Sequence, residues 1–123
     1  MRCHTEFFGP ARAEISTDVD AELGGRGEMP SPGELLAATV ASCMLSMVAY
    51  TGARKGFDAA GVCIQAACGE GSQGIGSLDI EITVPMPTTP QQRKLMEAAV
   101  ANCPVGNSLH PAIAKRISWR WAE

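Results

Sequence analysis

The sequence predicts an α+β fold built on a mainly antiparallel sheet. Three observations carry this: an apolar helix pattern from Pro32 to about Lys55, alternating strand patterns on both sides of it, and no regular strand–helix–strand repeat. With 123 residues, 46% of them hydrophobic, the chain fits one domain over residues 1–123 with a real core.

The elements follow in order. "RCHTEFF", the turn signal Gly9-Pro10 and "ARAEISTD" predict a hairpin, after which "DAELGGRGEMP" is a loop rich in Gly and acid. The helix starts at "SPGE", where Ser31 caps, Pro32 suits the first helical position and Glu34 completes a capping box; Gly56 stops it. Such a helix is about 35 Å long and apolar nearly all round. It belongs inside the structure, and a second subunit is expected to supply part of its cover.

"FDAAGVCIQAACGEG" and "GIGSLDIEITVP" predict two strands joined by a Gly-rich turn, the second alternating through Leu78, Ile80, Ile82 and Val84. Thr89 and Pro90 open an amphipathic helix whose apolar stripe is Leu95, Met96, Ala99 and Val100, with Pro104 as its breaker. A short turn through "VGNSLHP" leads to a last strand, "AKRISWRWA", in which Ile117, Trp119 and Trp121 are expected to face the core.

Net charge is −3, from 10 basic and 13 acidic side chains well interspersed. The basic stripe that a nucleic acid would need is missing, so nucleic acid is not an expected partner. No basic segment followed by an apolar run and a cleavage site opens the chain. The longest apolar stretch, Leu35 to Ala49, is shorter than the ~20 residues that span a bilayer. A soluble cytoplasmic protein without a membrane partner is the expectation. Six methionines point weakly to an adaptable pocket or interface, although methionine is also ordinary core filler.

Five cysteines, an odd number, argue for reduced thiols over a secreted disulfide framework. Cys43 lies mid-helix in "ASCMLSMV", and Cys103 lies 60 positions later at the end of the amphipathic helix. If the two helices pack side by side, a disulfide is possible provided their Cα atoms come within ~7 Å. Spacing alone favours two buried cysteines over a redox pair. Cys63 and Cys68 are five apart on a strand and so point to opposite faces, where they should neither pair nor pinch a zinc ion. Cys3 reads as an incidental thiol. His4 and His110 sit in no motif that presents a catalytic base or a structural zinc ligand, and each reads as a surface or turn residue. The Gly runs do not lead from a strand into a helix, so they read as turns and not as phosphate loops.

"ELGGRGEMPSPGELLAATVASCM" resembles the loop-and-helix signature of the OsmC/Ohr family, with Cys43 eleven residues after Pro32. "AAVANCPVGNSL" resembles the family's second signature, around Cys103. The resemblance spans nearly the whole chain, and the segment before Glu14 matches least.

It implies an OsmC-like fold in an intertwined homodimer, with long central helices held between antiparallel sheets and active sites at the subunit interface. It further implies a thiol peroxidase without metal or flavin. Cys43 would attack the peroxide, Cys103 would resolve the sulfenic acid as a disulfide, and an external dithiol such as a lipoyl protein or small thiol would restore both. The apolar surroundings suit organic hydroperoxides.

In the peroxidase branches an N-terminal arginine, held by a glutamate just after the helix-opening proline, favours the thiolate. Here that position is Gly33, and the acid is Glu34. Nine residues turn a helix through about 900°, so Glu34 falls opposite Cys43 and suits the cap. Arg2, Arg12 and Arg26 are the candidate cations. The leading expectation is therefore a hydroperoxide reductase. Its alternative is a non-catalytic dimer of the same fold that binds a small hydrophobic molecule in its interface pocket.

Overall fold

The computed structural model describes residues 1–123 throughout. The chain forms two compact units, Met1–Leu36 and Ala37–Glu123, with the boundary one turn into the long helix.

In the first unit, β1 (Cys3–Phe8) and β2 (Arg12–Thr17) form the expected hairpin, with Cys3 opposite Thr17 and Phe8 opposite Arg12. Its loop is organised on Asp18, which is only 3% exposed. The Asp18 carboxylate accepts from the N–H groups of Val19 (2.8 Å) and Arg26 (3.2 Å) and from the Met1 ammonium (3.1 Å). A buried carboxylate needs such donors, because an unpaired buried charge is costly. They hold its pKa well below the usual carboxylate range, the ammonium hydrogen bond contributing most. Gly25 is required at this point: a Cβ there would collide with the Val19 carbonyl oxygen.

Helix α1 (Pro32–Lys55) has the predicted ends. Ser31 and Glu34 exchange the two capping-box hydrogen bonds, at 3.1 and 3.3 Å. At the other end Gly56 takes a φ of +82°, and the N–H groups of Gly56 and Phe57 both donate to the Gly52 carbonyl. Glycine adopts that left-handed geometry without the strain a Cβ adds. By length and composition alone α1 is able to cross a membrane. The run Leu35–Ala49 therefore understates the apolar length of the helix.

The second unit holds β3 (Cys63–Gly71), β4 (Gly74–Val84), α2 (Pro90–Ala101), α3 (Pro104–Asn107) and β5 (Ala114–Trp121). The β3–β4 hairpin is antiparallel, as expected, but β5 runs parallel to β4, pairing Ser77 with Ala114 through to Val84 with Trp121. Two of the three strand pairings are thus antiparallel, in keeping with the mainly antiparallel expectation, and β5 adds a parallel edge. A helix interposed between two strands carries the chain back to the starting edge, so the second strand enters in the same direction as the first. The sheet order is β3-β4-β5.

One face of β4 supplies Leu78, Ile80, Ile82 and Val84 to the core. Val40, Met44 and Val48 of α1 and Met96, Ala99 and Val100 of α2 join them there. Helix α2 opens at Pro90 as predicted, and Thr89 and Gln92 bond reciprocally at its cap, at 3.0 and 3.1 Å. Trp119 and Trp121 pack against the core and stack with ring centroids 4.7 Å apart, and Arg93 lies over Trp121. Ile117 shares the face of the two tryptophans but is 37% exposed, because β5 is an edge strand and incompletely covered there.

Candidate active site

The segment "NCPVG" shapes the site. A residue before proline is disfavoured in helical geometry, and Cys103 accordingly adopts an extended ψ of 113° between Asn102, which ends α2, and Pro104, which starts α3. A single helical turn, Pro104–Asn107, therefore replaces the short turn expected through "VGNSLHP". Cys103 caps this turn: its Sγ accepts from the Gly106 N–H at 3.4 Å.

Cys103 is buried, at 1% exposure, and belongs to the core cluster. Its thiol faces the Val40 carbonyl of α1 at 3.9 Å and lies close enough to the Cys43 side chain, one turn further along α1, for the two thiols to interact. Burial pushes the Cys103 thiol pKa up, and the interaction with Cys43 pushes the same way, while the Gly106 N–H opposes both. Cys103 is accordingly a neutral thiol at pH 7. Cys43 is half-buried and packs against the same core. The structure thus brings together the two cysteines singled out in sequence, with the more accessible one on α1.

The other predicted positions fall elsewhere. Cys63 is exposed and Cys68 packs against the core, so the odd separation does place them on opposite faces. Cys3 is exposed on β1. His110 is a turn residue whose Nδ1 accepts from the Ala112 N–H at 3.0 Å. In the first unit, Arg2 pairs with Glu28 at 2.9 Å and Asp18 at 3.7 Å, and Arg12 lies over the Phe8 ring. Arg26 takes part there through its backbone N–H to Asp18.

Two features lie outside the sequence-based expectation. His4, Glu6 and Glu14 converge on the exposed hairpin, because the register sets Glu6 opposite Glu14. Lys115, at the start of β5, donates to the Gly106 carbonyl and to Asn107 Oδ1, both at 3.1 Å. Neither convergence has a local sequence signal, since each depends on strand pairing or a distant turn.

A helix-borne thiol beside a second, buried thiol beneath a mixed sheet defines the class, an α+β protein with a two-cysteine site. The sequence profile described as OsmC-like protein matches residues 25–118, and the chain belongs to that family. A solved protein from Psychrobacter arcticus 273-4, described as a candidate osmotic stress induced and detoxification response protein, is 27% identical. The match covers 95% of this chain and 88% of that one, with a TM-score of 0.88. An organic hydroperoxide resistance protein from Elizabethkingia anophelis shares the fold at 19% identity and a TM-score of 0.73, over 99% and 96% of the two chains. An uncharacterised Acinetobacter baylyi protein is 28% identical, over 77% of this chain and 69% of its own length.

Proposed function

We propose that this chain is a thiol peroxidase that reduces organic hydroperoxides, with Cys43 as the peroxidatic cysteine and Cys103 as the resolving one. The observation that carries the proposal is the approach of a fully buried thiol, set against the Val40 carbonyl, to the half-buried Cys43 thiol on the same helix. The naming of solved family members as organic hydroperoxide resistance proteins supports the substrate class.

The Cys43 thiolate attacks the terminal peroxide oxygen, the O–O bond breaks, and the alkoxide leaves as an alcohol after taking a proton. The resulting sulfenic acid condenses with the Cys103 thiol, forming the disulfide and releasing water. An external dithiol, such as a lipoyl group, then supplies two electrons and two protons to restore both thiols. Burial of Cys103 serves this order, because a thiol kept from solvent meets the sulfenic acid before another oxidant reaches it.

The working unit in this proposal is a cytoplasmic homodimer. Only 33% of the most apolar stretch of α1 is covered within the chain, and a second copy is the simplest cover for the rest. Consumption of cumene hydroperoxide with dihydrolipoamide tests the proposal. Wild type turns over, Cys43→Ser is inactive, and Cys103→Ser accumulates a trappable sulfenic acid. Absence of turnover in wild type overturns the peroxidase and leaves the fold as a binder of small hydrophobic molecules.

A further inference from the structure

The reductive half of the cycle raises a question that the two cysteines alone do not answer. Opening the disulfide releases one sulfur as a thiolate, and the more accessible Cys43 is the sulfur an incoming thiol reaches. Cys103 is then the leaving group, and it leaves into a buried site that disfavours its charge.

Two groups meet this charge. The Gly106 N–H already points at Cys103 Sγ, at 3.4 Å. On the far side of the same residue, the Lys115 ammonium holds the Gly106 carbonyl and Asn107 Oδ1. A Cβ built on Gly106 would lie 3.6 Å from Cys103 Sγ and 3.7 Å from Lys115 Nζ, so sulfur and ammonium both border the space beside Gly106, which Val40 Cγ1 shares at 3.6 Å. Two of the three ammonium protons are used by α3, which leaves the exposed ammonium anchored beside the turn that Cys103 caps.

We propose that Lys115 is a positioning residue for the reductive step, clamping the α3 turn and supplying the positive charge that lets Cys103 depart as a thiolate. The proposal rests on the peroxidase assignment and adds to it the direction in which the disulfide opens. The incoming thiolate forms a bond to Cys43 Sγ, the Cys43–Cys103 bond breaks, and its electron pair stays on Cys103 beside Lys115 and the Gly106 N–H. The second thiol of the reductant then gives up its proton, which Cys103 takes through solvent, and displaces Cys43 as a thiolate. Peroxide attack on Cys43 does not involve Lys115.

The test separates the half-reactions. Protein oxidised with one equivalent of cumene hydroperoxide is mixed with dihydrolipoamide, and thiol recovery is followed in wild type, Lys115→Met and Lys115→Arg. The expected result is that Lys115→Met slows reduction about tenfold, because a less stabilised Cys103 thiolate is a poorer leaving group and the α3 turn that presents it loses its clamp. Oxidation by peroxide keeps its wild-type rate, and Lys115→Arg restores most of the reduction rate. Reduction at the wild-type rate in Lys115→Met overturns the proposal, as does equal slowing of both half-reactions without rescue by arginine.

A second arm is independent of turnover. Cys103 thiolate absorbance is titrated in Cys43→Ser with and without Lys115→Met, against Cys43→Ser/Cys103→Ser as the blank. Cys103 is expected to titrate higher without the lysine, and identical titrations overturn the proposal even if wild type reduces no peroxide. Failure of wild type to form the disulfide, by contrast, is failure of the peroxidase assignment.

Discussion

The Cys103 thiol, set at the turn between α2 and α3, lies beside the Cys43 side chain on α1, 60 positions earlier in the chain. Each residue reaches the contact for a different local reason. Cys43 is carried on the middle of a continuous helix, whereas Cys103 is turned inward by the extended backbone that Pro104 imposes. Replacing Pro104 removes only the second constraint. Pro104→Ala is expected to slow disulfide formation after peroxide treatment while leaving sulfenic acid formation at Cys43 unchanged, as read by trapping against time.

The core that holds α1 is built from few large side chains, and Met44, next to Cys43, is fully buried among them. Met44→Ala is expected to destabilise the protein by about 2–5 kcal/mol, the range for emptying a buried aliphatic site. Urea denaturation checks this, with an unchanged m-value.

The α2 capping box supplies a smaller effect. Thr89→Ala removes the acceptor for the Gln92 N–H and is expected to cost about 1 kcal/mol by the same denaturation measurement. Half-buried Thr88, whose hydroxyl accepts from Arg93 and not from a helix N–H, is a control for the cap.

Acid stability follows from Asp18. Its pKa is lowered on folding, so the unfolded chain binds the proton more readily than the folded one. The stabilisation is complete above the ordinary carboxylate value of about 4 and is lost as pH falls below it. Wild type is expected to lose stability between neutral pH and pH ~3 more steeply than Asp18→Asn, measured as midpoint against pH.

Much of this was legible in the sequence, for reasons that can be named. The ends of α1 and the start of α2 could be placed because Ser31, Glu34, Gly56 and Thr89 act through hydrogen bonds or backbone geometry within four residues of themselves. The hairpins were readable from alternation and turn residues. The parallel entry of β5 was not, because strand direction depends on how the chain crosses the sheet after α2, and alternation is the same in either direction. Asp18 resembles any acid of a Gly-rich loop until its donors are in place, and Lys115 gains meaning only through a turn nine residues earlier. The cysteine pair lay between these extremes: spacing allowed it, the family resemblance favoured it, and only packing brought the thiols together.

The most direct measurement of the central claim is peptide mass mapping after one equivalent of cumene hydroperoxide. The account predicts a new disulfide joining the Cys43 and Cys103 peptides, with Cys3, Cys63 and Cys68 still alkylated as thiols. Recovery of Cys43 and Cys103 as thiols while the peroxide persists would contradict it.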